Sequence, residues 1–440
     1  MKMYDAYKPS GVKWIELVPS HWTNLHIKYT TNGKGGLFID GDWIESKDLA
    51  SDGIRYLTSG NVGVIKYKEQ GDGYITEDKF KELNCTEVFP GDILISRLNE
   101  PIGRACIVPE LDSRIVVAVD NVICRVNESL HDKRYLVYEM NCKAYSDYTN
   151  CLARGTGMHR ISRGMLGQIN IVIPPLDEQT AIANYLDSKC AKIDNVVAVQ
   201  QKRIELLKEL KQSIITKAVT KGLDKNAKMK DSGIDWIGEV PEGWKVMKTS
   251  WIFKIGSGTT PKSGDKRYYA EEDGINWLQT GDLNDGVIME TSKHITEQAV
   301  QDYNLKTYSK GSLVIAMYGA TIGKVGLLKI DTTVNQACCV LNKSKKMTEK
   351  YAFYVFQAGK PALLREAYGG GQPNISQDII STQKYPLPSP AEQTAIVAYL
   401  DKKCATIDKQ IAKVEKQIEL LYEYKQSVIT ECVTGKRKVC

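Results

Sequence analysis

The chain has 440 residues and a formal net charge of +6, a mildly basic balance that permits nucleic-acid binding without requiring it. Its eleven cysteines include no Cys-x-x-Cys pair and its five histidines show no ligand spacing, so we expect reduced thiols and no metal site. No apolar run has the length of a membrane span, and the polar first residues do not resemble a signal peptide. We therefore expect a soluble, cytoplasmic protein without membrane contact.

Three segments of the first half return in the second half, which indicates internal duplication. The pairs are 10–22 with 232–244, 91–104 with 311–324, and 174–179 with 388–393. The sequence between these segments differs freely, as expected of two domains that keep one scaffold and recognise different targets. The tryptophans of the first pair belong to the shared scaffold, so we expect them to pack in the interior rather than to stack on a ligand. They are Trp14, Trp22, Trp236 and Trp244.

Each half has about 160 residues before its long helix, which is enough for one domain with its own core. Short runs rich in Ile and Val, bounded by Gly, Asn and Pro, predict strands. They lie at 92–96, 115–119, 169–173 and 313–316. Helical segments are predicted at 135–144 and 350–357. The fold class that follows is α+β, with two domains of mixed structure.

A pair of long helices is the strongest prediction of the sequence. Roughly 27 of about 43 positions from Glu178 onward recur at a constant offset from Glu392 onward. Apolar residues follow heptad spacing in both copies, which predicts an antiparallel coiled coil with an internal pseudo-two-fold repeat. The seam positions are Leu186, Cys190, Ile193, Val197, Gln200, Ile204, Leu207, Lys211 and Ile214, and then Leu400, Cys404, Ile407, Ile411, Val414, Ile418, Leu421, Lys425 and Val428.

Lys211 and Lys425 occupy the same seam register in the two copies. A polar residue on a seam can fix the alignment of two helices. Alternatively, both lysines lie near helix ends and extend into water. The sequence leaves these two interpretations open.

Sequence signatures of catalysis are absent. There is no glycine-rich loop ending in Gly-Lys-Ser or Gly-Lys-Thr, and no Asn-Pro-Pro-Tyr or Asp-Pro-Pro-Tyr tetrapeptide of the kind that holds a target amine in amino-methyltransferases. We expect a protein that is not an enzyme.

This order of segments resembles the specificity (S, or HsdS) subunit of type I restriction–modification systems. The resemblance covers essentially the whole chain, and three features carry it: the Trp-containing repeat, glycine-containing loops before Ile161-Ser162 and Ile375-Ser376, and two helices that open with Glu-Gln. It implies a first target recognition domain at 1–176, a spacer helix at 177–221, a second recognition domain at 222–390 and a second spacer helix at 391–436.

The resemblance also implies partners. Each recognition domain would read one half of a split site in double-stranded DNA, and the helices would set the spacing and dock two methyltransferase (M) subunits. Those subunits would bind S-adenosylmethionine and methylate adenine N6, restriction (R) subunits would join them, and this chain would bind no cofactor. Half-sites one turn apart lie about 34–36 Å from each other, within the length of about 65 Å expected for a helix of about 43 residues.

Two glycine-rich loops at equivalent positions are candidate DNA contacts. In the first domain, Gly157, His159 and Arg160 could meet bases or phosphates, because glycine permits close backbone approach. In the second, Gln372 or Asn374 could pair bidentately with an adenine. The alternative is a pair of ordinary surface turns.

The aligned segments 97–104 and 317–324 are a second candidate. Arg104 and Lys324 keep a positive charge at one position, as a phosphate contact would. Arg97 and Asn99 are replaced in the second domain, as base-reading residues would be, and Tyr318 lies in the replaced segment. A hairpin with ordinary surface charges is the alternative.

A weaker candidate is the turn that contains Ser59 and Asn61, with Thr280 in its counterpart. Polar residues are common in turns, so a structural role is the alternative.

Two other functions are compatible with the chain. A similar subunit serves some fused type II restriction–methylation enzymes, and a coiled-coil adaptor with two protein-binding domains would have no DNA role. A DNA reader should lose affinity steeply with salt, whereas an adaptor should show no such affinity.

Overall fold

The structure is a computed structural model that describes residues 3–155, 159–271, 273–368 and 373–439. It has the predicted α+β class, with two domains and two long helices. The chain divides into two compact units: residues up to Gln200 with those from Lys416 onward, and residues from Gln201 to Glu415. Because the division falls within both long helices, each unit contains one domain and a part of each helix. In the described ranges, no helix is long and apolar enough to cross a membrane.

The first unit begins with short strands and ends in the first long helix. Its strands are β1 (Tyr7–Val12), β2 (Ile15–Pro19), β3 (Thr23–His26), β4 (Leu37–Asp40), β5 (Ile54–Leu57), β6 (Tyr74–Ile75), β7 (Ile93–Ser96), β8 (Ala105–Ile107), β9 (Ile115–Val117), β10 (Asn121–Arg125) and β11 (Asn170–Ile173). Its helices are α1 (Glu77–Glu82), α2 (Lys133–Glu139), α3 (Lys143–Leu152), α4 (Arg163–Gly167) and α5 (Leu176–Lys221), of which α5 continues into the second unit.

The first domain is organised around a four-stranded antiparallel sheet in the order β4-β10-β7-β8. Strand β7 is buried throughout, and its first three residues are apolar, as expected for a strand with both faces covered. Ile93 and Ile95 belong to the core cluster that includes α2 and the long helices, whereas Leu94 packs with strands β5 and β9 on the other face. Strand β3 pairs with β11, which leads directly into α5.

The second unit repeats this arrangement. Its strands are β12 (Met229–Asp231), β13 (Glu239–Pro241), β14 (Lys245–Lys248), β15 (Ile255–Ser257), β16 (Tyr269–Ala270), β17 (Ile275–Leu278), β18 (Gly286–Ile288), β19 (His294–Ile295), β20 (Leu313–Ala316), β21 (Val325–Leu328), β22 (Thr333–Val334), β23 (Cys338–Leu341) and β24 (Lys384–Leu387). Its helices are α6 (Thr249–Ile252), α7 (Glu297–Asp302), α8 (Glu349–Arg365), α9 (Gln377–Thr382) and α10 (Pro390–Val433), of which α10 continues into the first unit.

The main sheet of the second domain has the order β15-β23-β20-β21-β18, in which β18 is an added parallel strand. Strand β20 alternates as β7 does, with Leu313 and Ile315 in the core next to α8 and Val314 in the cluster on the opposite face. The strands and helical segments predicted from the sequence are thus confirmed in both domains.

The heptad seams of α5 and α10 are buried over the first turns of each helix and mostly partly exposed farther along. In the first unit, Leu186, Ile193 and Val197 are at most 5 % exposed. In the second unit, Leu400 and Ile407 are at most 6 % exposed. Residues between these positions are mostly exposed, as expected for a narrow apolar seam.

Both seam lysines form ion pairs across the helix pair. In the first unit, Nζ of Lys425 lies 2.6 Å from an oxygen of Asp194. In the second unit, Nζ of Lys211 lies 2.7 Å from Asp408. Because the same contact occurs twice in the same register, the structure favours register fixation over extension into water.

The repeated Glu-Gln pair holds each domain on its helix. The amide of Gln179 accepts the N–H of Asp132 and donates to the carbonyls of Leu130 and Pro174. Its neighbour Glu178 accepts the indole N–H of Trp22 at 2.8 Å.

In the second unit, Gln393 makes the matching contacts with the N–H of Thr348 and two carbonyls, and Glu392 accepts the indole N–H of Trp244 at 2.9 Å. Both Trp22 and Trp244 are buried, which confirms that they belong to the core.

Candidate nucleic-acid interface

In the first domain, the two candidate loops lie side by side. The backbone N–H of Arg160 donates to the carbonyl of Arg154 at 3.0 Å, and the reverse bond is 3.1 Å. On its other side, Arg160 pairs with Leu98 through bonds from Ile161 to Arg97 and from Asn99 to His159. The three residues Leu98, Arg160 and Arg154 therefore form a row across a small antiparallel ladder, which we call the first row.

The second domain contains the same arrangement. Asn374 and Tyr368 exchange backbone hydrogen bonds of 2.8 and 3.0 Å, and Asn374 also pairs with Tyr318. The three residues Tyr318, Asn374 and Tyr368 form the second row. Each row lies beside a short helix whose first turn is capped by a serine hydroxyl, Ser162 or Ser376. The sequence placed these loops at equivalent positions, and the structure brings each pair of loops together.

Most residues of both rows are accessible. Arg154 and Arg160 are exposed, as are the neighbouring Asn99 and His159, while Leu98 is partly exposed. Asn99 and His159 line one side of a cavity of about 480 Å³ together with Pro101 and Asn150.

In the second row, Tyr368 is 55 % exposed, and Asn374 and Tyr318 are partly exposed. Partial burial raises the pKa of Tyr318. The candidates Gly157 and Gln372 lie outside the described residues.

Arg104 does not have the exposed position expected of a phosphate contact. Its side chain is 9 % exposed and donates to the carbonyls of Val62, Leu98 and Ser59, and to that of Pro101. Burial lowers the pKa of its guanidinium. The side chain therefore ties the turn at Ser59 to the loop after β7, and we correct the expected direct contact to a supporting role.

Arg97 is also turned inward, with 5 % exposure. It donates to the carbonyl of Val119 at 2.6 Å and forms an ion pair with Asp40 at 3.2 Å. The expectation that it reads bases is corrected in the same way, because a side chain with these partners fixes the backbone under the first row.

Asn61 is fixed inside its own turn. At 1 % exposure, its amide donates to the carbonyls of Lys68 and Gln70 and accepts the backbone N–H of Thr58. The structural alternative is thus the correct one for Asn61. Ser59 is partly exposed and offers its carbonyl to Arg104.

Two candidates of the second domain are accessible. Lys324 is partly exposed and, in the described residues, forms no ion pair. Thr280 is partly exposed in the first position of a short 3-10 helix, Thr280–Asp282. Both remain candidates for DNA contact.

Sequence reasoning missed Arg154 and Tyr368, the outer residues of the two rows. A signal was present: each lies six residues before its partner, Arg160 or Asn374, across a glycine-containing loop. This spacing is compatible with a short hairpin, but neither residue is repeated between the halves, and so the repeat did not point to them. In the described ranges, no group of His, Cys, Asp and Glu could hold a metal ion.

Comparison with known families agrees with this duplicated architecture. The family model described as the type I restriction modification DNA specificity domain matches residues 39–211 and again residues 241–420. The chain belongs to this type I specificity family. The two matches cover the two domains and most of both long helices.

Named relatives agree with this assignment. The type I restriction enzyme MjaVIII specificity subunit of Methanocaldococcus jannaschii is 29% identical over 429 residues, which cover 92% of this chain and 95% of the relative. The EcoBI specificity subunit of Escherichia coli is 22% identical over 406 residues, covering 87% of this chain and 79% of the relative.

A solved structure has the same fold along the whole chain. It comes from work described as "Structural basis underlying complex assembly and conformational transition of the type I R-M system". It matches with a TM-score of 0.70 at 16% identity and covers 96% of this chain and 99% of the solved chain. This chain therefore shares its two domains, its two long helices and their order with that solved structure.

Proposed function

We propose that this specificity subunit reads a split site in double-stranded DNA, with one domain on each half-site. The observation that carries the proposal is the pair of rows. Each domain presents three side chains on a short ladder with the same backbone pairing, yet the side chains differ at every position. A shared support with different reading groups is what two half-sites of different sequence require.

Electrostatics supports DNA as the ligand. In the described residues, the exposed guanidiniums of Arg154 and Arg160 have no carboxylate partner, and Lys324 of the second domain is likewise without an ion pair. Uncompensated cations beside a base-reading loop suit a polyanion, because phosphate contacts orient a protein on the duplex.

We further propose that the long helices dock two methyltransferase subunits, through which restriction subunits join. Exposed apolar side chains on these helices support this. In the first unit Val199 is 66 % exposed and Leu420 is 50 % exposed, and in the second unit Leu206 is 54 % exposed. Leu206 and Leu420 occupy the same position of the repeat, so each helix offers one such contact.

In this proposal the chain supplies placement and the partners supply chemistry. The methyltransferase subunits would carry S-adenosylmethionine and receive the target adenine after it leaves the base stack, at a cost of a few kcal/mol. The specificity subunit would bind no cofactor of its own.

The test is DNA binding by the chain co-purified with its methyltransferase, measured across a salt series. The expected result is a linear fall of log K with log salt, with a slope of about −0.9 for each phosphate neutralised. The complex should contain two methyltransferase subunits for each specificity subunit. A complex without salt-dependent DNA affinity would support the protein adaptor instead.

A further inference from the structure

The two rows differ in a way that bears on which bases they select. In an antiparallel ladder, residues that are directly opposite each other place their side chains on the same face. The side chains of Leu98, Arg160 and Arg154 therefore share one face of the first ladder. Those of Tyr318, Asn374 and Tyr368 share the corresponding face of the second ladder.

The middle residue of each row is the best placed to read a base. Arg160 is fixed on one side by its exchange with Arg154 and on the other by the bonds around Leu98. Asn374 has the same two neighbours in Tyr368 and Tyr318. Base discrimination needs hydrogen-bonding groups held in a defined position, and a backbone bonded on both sides provides that.

The two arginines of the first row, Arg154 and Arg160, differ from the other arginines of their domain. Elsewhere in the described part of that domain, arginine side chains have internal partners: Arg114 pairs with Glu77 and Glu87, and Arg125 with Asp92. The others with partners are Arg55, Arg97, Arg104, Arg134 and Arg163. Among the arginines in the described part of the first domain, Arg154 and Arg160 alone lack a side-chain partner, although they are neighbours of like charge.

Two adjacent, unpaired guanidiniums repel each other in the free protein, so a purely structural role would not explain them. A guanine offers two acceptors, O6 and N7, which match the fork of one arginine, and a nearby phosphate matches a second arginine. The central residue of the second row has different chemistry: an asparagine amide both donates and accepts, as adenine N7 and N6 require.

We propose that the central residue of each row sets one base of its half-site. Arg160 selects a guanine in the half-site of the first domain, with Arg154 on the adjacent phosphate, and Asn374 selects an adenine in the half-site of the second domain. This inference rests on the proposed function, because it names the bases that the same two surfaces would read.

The test uses the complex of the chain with its methyltransferase and a DNA library in which both half-sites are randomised. The measured quantity is the frequency of N6-methylation for each sequence. For the wild-type chain we expect a required guanine in one half-site and a required adenine in the other. Arg160→Lys keeps the charge but loses the fork, so the guanine preference should fall by about 5- to 150-fold at that position only.

Exchange of the central residues gives the sharper result. Arg160→Asn should change the preference at that position from guanine to adenine, and Asn374→Arg should produce the reverse change in the other half-site. Arg154→Ala should weaken methylation of all sequences alike, since a phosphate contact carries no sequence information. Arg114→Lys, at a partly exposed arginine that is ion-paired, is the matched control and should leave both half-sites unchanged.

Each variant carries its own folding control, because the half-site read by the untouched domain must keep its sequence requirement. If the wild type methylates a split motif and the variants at Arg160 and Asn374 leave that motif unaltered, the assignment of the rows is wrong and the proposed function stands. If the wild-type complex methylates no defined motif, the proposed function is overturned together with this inference.

Discussion

The two domains keep the contacts that join them to the helices and change the contacts around their rows. Gln179 and Gln393 make the same three hydrogen bonds, and Tyr138 and Tyr354 donate to Asp187 and Asp401 at the same 2.8 Å. These contacts orient each domain on the helices. The two halves thus keep the same attachment of domain to helix, whereas the side chains of the two rows differ.

The two domains differ in the residues that support their rows. The first domain holds its ladder with two buried arginines, Arg97 and Arg104, whose counterparts are Met317 and Lys324. A second difference lies in the core, where fully buried Glu139 corresponds to Val355. Each difference can be removed by substituting one domain's residue for the other's.

We expect the largest loss of stability when a contact that both domains make with their helices is removed. Gln179→Ala would leave the N–H of Asp132 and two carbonyls without partners in a buried site, and should destabilise the first unit by about 2–4 kcal/mol. Gln393→Ala should cost the second unit a similar amount. Urea unfolding, followed by near-UV circular dichroism, measures both, and exposed Gln201→Ala is the control that should change stability by less than about 0.5 kcal/mol. A small effect at either buried glutamine would contradict the proposed attachment.

A second effect on stability should come from the buried carboxyl group of Glu139. Burial raises the pKa of Glu139 well above its usual range, although one of its oxygens accepts the N–H of Val172. An acid whose pKa is higher in the folded state contributes less stability as pH rises, because the unfolded chain then releases the proton that the fold retains.

Glu139→Gln, which keeps an oxygen to accept the N–H of Val172 and removes the titrating group, should therefore stabilise the first unit by about 1–3 kcal/mol at pH 8, and by less at pH 5. Val355→Glu should destabilise the second unit in the same pH-dependent sense. Thermal unfolding at both pH values measures these shifts. A loss of stability in Glu139→Gln at pH 8 would mean that the carboxyl group stabilises the fold rather than destabilising it.

A smaller effect should distinguish the two seam ion pairs. Burial alone would raise the pKa of Asp194, but hydrogen bonds from Lys425 and Lys66 outweigh it and lower that pKa. Because the folded pKa is lowered, the stability from Asp194 is present above its ordinary value near 3.8 and is lost as pH falls through the folded pKa.

Asp194→Asn should then cost about 1 kcal/mol at pH 7, and Asp408→Asn, whose side chain is 52 % exposed, about 0.5 kcal/mol or less. Urea unfolding at pH 7 and low salt measures both costs. Equal costs would show that Lys66 adds nothing to the first pair.

The smallest expected effect is on DNA binding rather than stability. Lys324→Ala should weaken binding of all sequences alike and reduce the salt slope by about one, because it removes one phosphate contact. Arg104→Lys, its counterpart change, should instead loosen the first row and lower discrimination in one half-site, since lysine cannot reach the four carbonyls together. Salt-titrated binding to the cognate site separates these outcomes, and an unchanged slope for Lys324→Ala would remove Lys324 from the interface.

Much of the fold could be predicted from the sequence, because periodicity reports burial directly. Runs such as Ile93 to Ile95 and heptads such as Leu186 and Ile193 have few alternative structures. Periodicity gives no comparable information about the direction in which a single polar side chain points. Arg104 follows a glycine in a polar loop and was expected at the surface, but the carbonyls that surround it come from two separate segments, which only the tertiary fold brings together.

The candidate site was predicted as a set of loops and only partly as residues. Alignment of the halves located both loops of each ladder, since they follow repeated segments. It could not show that Arg154 lies opposite Arg160, because pairing of two short segments depends on the intervening loop and on the sheet beside them. Asn61 was misassigned for a related reason: a turn asparagine can bond inward or outward with the same local sequence.

We propose that this chain alone defines a split DNA site. The most direct measurement is a genome-wide map of N6-methyladenine in cells that express the methyltransferase with and without this chain. We predict that one motif, two short half-sites separated by a fixed gap, is methylated only when the chain is present. An identical map in the two cases, or a motif without a gap, would contradict it.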